Sequence, residues 1–502
     1  MVKQRDDTSA NIKTQSGSVH PDLTFKDKNS KALDPNMLDS LETLIKPEDI
    51  RNVFSAQTVF TPGAKIVLLL IIVVTFISFI LDDKASVYVT VMLINILFFT
   101  ANSYRLGLFF SGLKILEHSR QIDEEIDLSD QQLPKYTVLI PLYHEAAVVP
   151  YLTKAMLRVD YPKNKLQVMI LVEDDDTETI AAVKANKLPD YFQVEVVPNA
   201  KVKTKANALN WGLSRATGEL VTIFDAEDRP NPDQLKKVAQ KFVRSPDNVA
   251  CIQARLNFYN AQENVLTKLF SLEYENLFNY ILPAMAIRDC PIPLGGTSNH
   301  FKTKKLRELG GWDSYNVTED ADLGMRLAAA GYKSRMVYSF TPEEATMSLR
   351  AWMKQRTRWL KGYMHTYFVY MRKPGYLIRK YGFSGFMFFN YSLFLSPFLL
   401  VIMPIMIYFS VMIIIRFYAY EPWSESILKY FTWFNLIYGY LALSFTSYTI
   451  YAVEGLKSGK LWWLYPFYFI LHIFAALMAV YKLLVEPHKW DKTTHGVSKF
   501  KE

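Results

Sequence analysis

Two apolar blocks enclose a long polar segment, and this pattern constrains the fold more than any other feature. Residues 66–81 and 87–110 are apolar near the start of the chain, and residues 383–415, 430–453 and 461–485 are apolar near its end. A helix needs about 20 apolar residues to cross the hydrocarbon core of a bilayer. We therefore predict a multi-pass integral membrane protein. Buried helices of a large soluble core are the alternative explanation of such runs.

The first C-terminal run is long for one span and barely long enough for two, and Pro397 and Pro404 interrupt it. We predict four C-terminal crossings with a break near Ser396; three spans with one segment in the interface are the alternative. Lysine and arginine flank the spans on the side of both chain ends, which by the positive-inside bias is the cytoplasm. The expected location is a bacterial inner (plasma) membrane with a cytoplasmic catalytic domain.

The predicted organisation follows from these runs and from composition. Residues 1–58 form a disordered polar tail, and the other units are a transmembrane hairpin at 62–112, a cytoplasmic domain at 130–345, interfacial helices at 346–380, a membrane region at 383–486 and a basic tail at 487–502. The net charge of +8 suits an anionic membrane surface or phosphate ligands, and no nucleic-acid motif accompanies it. Two cysteines are too few for a disulfide framework.

The polar segment alternates short strands with amphipathic helices. Strands are predicted at 138–140, 167–172, 192–197 and 220–224, and helices at 146–158, 177–186 and 205–215. This order predicts an α/β fold with a mostly parallel sheet. Because ligands bind beyond the carboxyl ends of parallel strands, residues just after the strands are the candidates for a site.

Acidic residues stand at three of these strand ends. Asp225, Glu227 and Asp228 follow the apolar strand 220–224. Clustered carboxylates suit Mg²⁺ or Mn²⁺ bound together with substrate phosphates, so a nucleotide diphosphate is the expected guest. An acidic turn is the simpler alternative, since Pro230 and Pro232 follow closely.

Other candidates share the same predicted edge. Pro141, Tyr143 and Glu145 follow the first strand, and Glu173, Asp174 and Asp175 follow the second. Lys205 begins a predicted helix, where an ammonium group and free backbone N–H groups can meet phosphate. When Lys205 is considered alone, the alternative explanation is a solvated charge on the protein surface.

Downstream motifs complete an ordered set. Gly310-Gly311-Trp312, Thr318-Glu319-Asp320 and Gln355-x-x-Arg358-Trp359 follow the strand-end acids and Lys205-Ala-x-x-Leu-Asn. Over about residues 136–362 the set resembles a membrane-embedded, cellulose synthase-like glycosyltransferase of family 2, whose fold is GT-A-like. That family usually has aspartate where this chain has Glu227, which leaves the metal geometry open.

The resemblance implies a role for each matching residue. Glu173 with Asp174 or Asp175, together with Pro141, Tyr143 and Glu145, would bind the nucleotide, and Asp225, Glu227 and Asp228 would hold the metal. Asp320 would be the general base, with Glu319 and Asp322 as alternative bases. Capping of the helix start by Thr318 is the structural alternative for any one of these residues. Gln355, Arg358 and Lys205 would contact the donor, and Trp359 the acceptor sugar. An amphipathic interfacial helix would show the same Trp and Arg pattern for membrane reasons alone.

The expected function is therefore transfer of a sugar from a nucleotide diphosphate sugar, most simply a UDP-sugar, with inversion. The resemblance favours a growing polysaccharide acceptor near Thr297, Ser298 and Asn299, with translocation along polar residues such as Asn390 and Asn435. Transfer of one sugar to a lipid is the nearest alternative, and an inactive membrane scaffold is a third. The expected partners are the donor, the glycan or lipid acceptor and membrane lipids, without nucleic acid.

Overall fold

A computed structural model describes residues 54–124, 127–198, 203–417, 426–455, 457–489 and 498. Its centre is a seven-stranded sheet in the order β3-β2-β1-β4-β6-β5-β7. The strands are β1 (Tyr136–Leu142), β2 (Leu166–Glu173), β3 (Phe192–Val197), β4 (Leu220–Ile223), β5 (Val249–Phe258), β6 (Asn299–Lys302) and β7 (Lys333–Glu343). Strand β6 is antiparallel to β4 and β5, and the other pairings are parallel.

The central strands are apolar because helices cover both faces of the sheet. In β1, Val138 and Ile140 belong to one buried cluster and Leu139 to the other, on opposite faces. The helices around the sheet are α3 (Val149–Leu157), α4 (Thr177–Ala185), α5 (Lys205–Arg215), α6 (Gln234–Arg244), α7 (Val265–Glu275), α8 (Leu282–Ile287), α9 (Thr303–Glu308) and α10 (Glu319–Ala329). The predicted α/β class with a mostly parallel, GT-A-like sheet between apolar helices is confirmed.

The apolar helices precede and follow this domain. They are α1 (Pro62–Leu81) and α2 (Asp83–Glu124), then α11 (Leu349–Tyr370), α12 (Pro374–Asn390), α13 (Ser396–Phe417), α14 (Ser426–Glu454) and α15 (Tyr465–Val485). Helix α2 extends well beyond the predicted hairpin and ends on the sheet domain, where Asp123 pairs with Lys241 at 2.6 Å. Within the described residues, five helical segments are long and apolar enough to cross a membrane.

Three of these segments lie in the C-terminal region, where four crossings were the favoured prediction. The difference arises near Ser396, because the chain does not break there. A π turn at Tyr391–Leu395 joins α12 directly to α13, and its wider turn admits Pro397 without ending the helix. The interruption in α12 is instead a kink at Gly382, whose φ of 68° suits glycine.

Helix α15 runs parallel to α11 rather than away from the domain. Near its start, Tyr468 accepts a hydrogen bond from the indole N–H of Trp352 at 2.8 Å. Beyond its end, the carbonyls of Glu486 and Lys489 accept from Nζ of Lys361 at 3.0 and 2.8 Å. Both ends of α15 are therefore fixed to α11.

The last residues of the predicted disordered tail are ordered in the structure, which corrects that prediction for residues 54–58. Phe54 stacks on Tyr370 with ring centroids 4.4 Å apart. The N–H of Ala56 donates to Asp313 at 2.6 Å, and its carbonyl lies 3.0 Å from Nε2 of His365. Residues 1–53 of that prediction lie outside the described part of the chain.

Candidate active site

One cleft of about 440 Å³ lies beyond the carboxyl ends of β1, β2, β4 and β7. It extends from the sheet edge to the π turn between α12 and α13. It gathers most of the predicted site residues from distant parts of the sequence: Pro141, Tyr143, Glu145, Glu173, Lys205, Asp225, Glu227, Thr297, Glu319, Asp320, Gln355, Arg358 and Trp359.

The sheet end of the cleft is shaped by the loop after β1. His144 adopts a positive φ of 53°, and its backbone N–H donates to the Asp176 carboxylate. The other oxygen of Asp176 accepts from the N–H of Thr179 at 3.1 Å and so caps α4. One buried carboxylate thereby ties the two acidic strand ends together and fixes Tyr143 and Glu145 at the rim.

Of the acidic set after β2, Glu173 alone lines the cleft. Burial raises the pKa of Glu173 to about 7, although Lys203 opposes the shift. Asp174 and Asp175 lie outside and face Lys203, whose Nζ is 3.9 and 2.7 Å from their carboxylates. They hold Lys203, itself a lining residue that the sequence did not single out.

Lys205 occupies the centre of the cleft. Its Nζ lies 2.6 Å from Asp225 and donates to the carbonyl of Gly296 at 2.6 Å. Burial alone would lower the pKa of Lys205, but Asp225, Asp320 and Glu319 outweigh it and raise the pKa. This lysine is therefore a partly buried cation among carboxylates, with a side chain that is 17% exposed, and not a solvated surface charge.

The turn Asp225–Asp228 divides its acids between two roles. Asp225 and Glu227 line the cleft, whereas Asp228 lies behind them and is 1% exposed. The Asp228 carboxylate accepts from the N–H of Asp225 at 2.7 Å and from the hydroxyl of Thr297. These bonds close the turn, so the geometry disfavours Asp228 as a metal ligand.

Glu343 at the end of β7 is an acid that the sequence reasoning missed, although it follows a strand as the others do. It lines the cleft beside Asp225 and Glu227. Burial, and then the charges of Asp228, Asp225 and Glu227, raise the pKa of Glu343 well above its usual value. One oxygen of Glu343 and one of Asp228 are buried without a hydrogen-bond partner in the described structure.

The unpartnered oxygen of Glu343 and the mutual repulsion of the acids fit a divalent cation at this edge of the cleft. The described side chains do not, however, present three or more converging metal ligands of the His, Cys, Asp or Glu type. Asp225 is already paired with Lys205 at 2.6 Å.

Asp320 and Glu319 begin helix α10, and both line the cleft. Burial and then Glu319 raise the pKa of Asp320 well above its usual value, while Lys205 acts in the opposite direction. Oδ1 of Asp320 is buried without a hydrogen-bond partner in the described structure. Asp322, the alternative base, instead pairs with the fully buried Arg326.

Helix α11 brings Gln355, Arg358 and Trp359 to the opposite wall. The Trp359 ring centroid lies 6.1 Å from that of Tyr274. Close approach of α11 depends on Gly362, because a Cβ there would lie 2.2 Å from Oγ1 of Thr318. The side chain of Thr318 makes no capping hydrogen bond to α10, so the structure does not support the alternative in which Thr318 caps this helix.

The wall near the membrane contains a buried polar group that the sequence reasoning also missed. Glu273 on α7 pairs with Arg356 at 2.7 Å and accepts from the hydroxyl of Tyr468 at 2.8 Å. His472 lies 3.4 Å away. Arg356, inside the motif Gln-x-x-Arg-Trp, thus joins α7, α11 and α15, and only tertiary contacts could reveal its partner.

The predicted acceptor residues separate in the structure. Thr297 lines the cleft, whereas Ser298 and Asn299 do not. Ser298 lies 2.6 Å from the hydroxyl of Thr341, and Asn299 donates to the carbonyl of Gly295 at 2.6 Å. Both are fully buried and support the loop, which argues against acceptor contact. Of the predicted basic tail at 487–502, residues 490–497 and 499–502 lie outside the described residues.

Comparison with known proteins finds a family that the domain resembles. Residues 134–362, slightly less than half of the chain, match the family described as "Glycosyltransferase like family 2". The domain is therefore similar to family 2 glycosyltransferases. The cellulose synthase-like subtype remains a prediction.

Relatives of the chain are similar over this domain. It is 27% identical over 238 residues to "Probable glycosyltransferase YdaM" of Bacillus subtilis, covering 46% of this chain and 56% of that protein. It is 28% identical over 271 residues to "Beta-monoglucosyldiacylglycerol synthase" of Nostoc sp., covering 53% and 56%. It is 27% identical over 253 residues to "Probable glucomannan 4-beta-mannosyltransferase 11" of Arabidopsis thaliana, covering 48% and 56%. The chain thus spans about half the length of these curated relatives.

Among solved structures, the chain is similar to "Mannosyltransferase PcManGT from Pyrobaculum calidifontis in complex with GDP-Man and Mn2+". The TM-score is 0.46 and the identity 18%, with 78% of this chain and 99% of that chain covered.

Proposed function

We propose that the protein transfers a hexosyl group from a nucleotide diphosphate sugar, most simply a UDP-sugar, to an acceptor hydroxyl at the membrane surface, with inversion at the anomeric carbon. The observation that carries this proposal is the single cleft in which Glu173, Lys205, Asp225, Asp320 and Arg358 meet. These residues come from five separate elements or loops, and a merely structural cluster of charges has no reason to surround an open cleft.

The donor would occupy the sheet end of the cleft. Glu173 is positioned to accept hydrogen bonds from the base or ribose, and Lys205 and Arg358 supply positive charge for the diphosphate. The negative charges of Asp225, Glu319 and Asp320 each act to raise the pKa of Lys205 and of Arg358. Both cations therefore already lie among carboxylates. The diphosphate would thus meet preorganised charge in a buried setting, where electrostatic stabilisation is strongest.

Asp320 would act as the general base. The acceptor oxygen forms a bond to the anomeric carbon while the bond from that carbon to the diphosphate oxygen breaks. The acceptor proton passes to Asp320, and the electron pair leaves with the nucleotide diphosphate. One base on the acceptor side is what a direct, inverting displacement requires. Its unpartnered Oδ1 is free of competing hydrogen bonds in the described structure.

A divalent cation, Mg²⁺ or Mn²⁺, would be held by the diphosphate of the donor together with one or two of the cleft-lining carboxylates Asp225, Glu227 and Glu343. When bound, such an ion neutralises charge developing on the departing diphosphate. Carboxylate oxygens are the ligands that both ions prefer. Asp228 would support this set through the turn that it closes.

The decisive experiment uses the full chain in lipid nanodiscs with a panel of UDP- and GDP-sugars, with Mg²⁺, Mn²⁺ or EDTA. We expect metal-dependent release of nucleotide diphosphate, an α-linked donor giving a β-linked product, and loss of turnover in Asp320→Asn. Cleavage of none of these donors would refute the proposed function, as would full activity of Asp320→Asn.

We further propose that the domain lies on the cytoplasmic side and that the chain crosses the membrane four times. Helices α1 and α2 would form one hairpin and α13 and α14 the other, while α15 lies in the interface beside α11. The support for this arrangement is that both ends of α15 are bound to α11 through Trp352 and Lys361. Four crossings leave both chain ends on the domain side, as their basic residues favour.

Impermeant thiol labelling of intact cells tests this topology, because both native cysteines are buried. Ala85→Cys, in the first turn of α2 next to its junction with α1, should be labelled from outside. Lys489→Cys, just beyond α15, should be labelled only after permeabilisation. Labelling of Lys489→Cys in intact cells would show that α15 crosses the membrane.

A further inference from the structure

We propose that the acceptor is a membrane lipid with a free hydroxyl on an uncharged headgroup, and that its hydrocarbon tail occupies the apolar end of the cleft. This inference rests on the proposed function and names its acceptor class. It places the reaction at the point where the charged and the apolar parts of one cavity meet. The product would be a lipid carrying one added sugar.

The end of the cleft that faces the membrane helices is lined mainly by hydrocarbon. Its apolar lining includes Leu277, Ile281, Leu282, Met285, Phe388 and Leu400. Leu277 and Leu400 are partly exposed, whereas Leu282, Met285 and Phe388 are each only 1% exposed and pack among other protein side chains. Burying each methylene of an acyl chain against such a wall stabilises binding by about 0.8 kcal/mol, a gain that a sugar ring cannot match.

Two irregular helical turns build this apolar end. One is the π turn Asn276–Ile281, which lies between α7 and α8, and the other is the π turn Tyr391–Leu395 between α12 and α13. Each is followed closely by a proline, Pro283 and Pro397 respectively. A π turn widens the helix and frequently marks a functional site. Here both turns contribute side chains to the same cavity.

Three buried oxygens lie where the headgroup would sit. Oδ1 of Asn276, Oε1 of Gln355 and Oδ1 of Asp320 have no hydrogen-bond partner in the described structure, and all three residues line the cleft. Their side chains are 2%, 8% and 6% exposed. Buried acceptor oxygens are costly unless a donor satisfies them. Hydroxyl groups supply such donors, whereas phosphate oxygens do not.

The polar side chains expected along a glycan route are instead engaged in helix packing. Asn435 on α14 donates to the carbonyl and side-chain oxygens of Asn95 on α2 at 2.9 and 2.8 Å. Asn390 donates to the carbonyl of Phe386 at 2.7 Å and accepts from Tyr367 at 3.2 Å. These contacts favour a lipid acceptor over a growing polysaccharide.

The test supplies radiolabelled donor to the full chain in phosphatidylcholine vesicles with or without diacylglycerol, and in a third arm with phosphatidic acid. We expect a single-sugar product that extracts into organic solvent and requires diacylglycerol. Polymer retained on a size column, product only with phosphatidic acid, or release of free sugar alone would each overturn the lipid inference. The absence of any donor cleavage would instead refute the proposed function itself.

A pair of variants on neighbouring turns tests the position of the tail. Leu277→Trp fills the apolar end and should raise KM for the lipid by about tenfold relative to Ile287→Trp. Ile287→Trp is the matched control, because Ile287 on α8 is 60% exposed and outside the cleft lining. Thermal unfolding of both variants checks that Leu277→Trp is folded. Equal lipid KM in the two variants would overturn the placement.

Discussion

Gly362→Ala tests whether α11 positions the catalytic base. A Cβ at residue 362 would lie 2.2 Å from Oγ1, 2.4 Å from Cγ2 and 2.8 Å from Cβ of Thr318. Ordinary carbon contacts are about 3.5 to 4.0 Å, so α11 and the Thr318 segment must separate by about 1 Å. Thr318 immediately precedes α10, and Asp320 is the second residue of that helix. The separation therefore moves the base.

The expected effect is on turnover more than on donor binding. Misplacing a reacting group by about 1 Å lowers the rate by about 100-fold, and overpacking of this kind costs about 1–3 kcal/mol of stability. Arg358 lies on the displaced helix α11, so donor affinity should weaken. Because Glu173 and Lys205 lie on other elements, that loss should be only a few-fold. Steady-state kcat, donor Kd by calorimetry and thermal unfolding measure the three quantities.

Gly107→Ala is the matched control, because this glycine is also helical and no atom lies within 4 Å of its added Cβ. Combining Gly362→Ala with Thr318→Ala removes the two shortest contacts and should restore much of the lost turnover. The reasoning is refuted if Gly362→Ala turns over as fast as Gly107→Ala, or if Thr318→Ala gives no recovery in the double variant.

Three further variants probe individual charges. Asp320→Asn should lower transfer by about 100- to 10,000-fold with donor Kd unchanged; a weaker donor Kd would instead indicate a binding role. Since the pKa of Glu173 is about 7 and its charged form accepts hydrogen bonds, donor KM should fall as pH rises through 7, and Glu173→Gln should abolish this dependence. Although burial opposes it, Arg356 and His472 hold the pKa of Glu273 at about 2, below its usual value. Its stabilising effect is thus present above pH 4.5 and is lost as pH falls toward 2. Glu273→Gln should destabilise the fold by about 3–5 kcal/mol, measured by thermal unfolding, whereas Glu117→Gln at an exposed site should not.

The sequence was sufficient to predict which strand ends form the site. Parallel strands present their carboxyl ends at one edge, so Glu173 and Asp225 could be assigned to a common cleft before any contact was known. The same rule applies to Glu343, but this residue was missed because strand β7 was not predicted. The relation of Asp320 to this edge came only from the family resemblance, and the structure supports it through the proximity of Lys205.

Roles that depend on side-chain direction could not be predicted in this way. The turn after β4 carries Glu227 and Asp228 side by side, and composition alone made both of them equal candidates for a metal ligand. The inward hydrogen bonds of Asp228 to Asp225 and Thr297 decide its role. Likewise α15 has the apolar composition of a span, and its proposed position in the interface rests on its contacts with α11. Composition reports solvent preference, whereas these roles are set by side-chain contacts that composition does not contain.

The contrast between the two ends of the cleft explains why its base is buried. A donor that carries a diphosphate requires the cations Lys205 and Arg358, whereas an acceptor with an acyl tail requires a dry wall. Asp320 stands between them, where burial raises its pKa and makes it a stronger base than an exposed aspartate. Lys205 opposes that shift and keeps the carboxylate form accessible. Removing the positive charge of Lys205 should therefore move the acidic limb of the pH–rate profile to higher pH, as well as weaken donor binding.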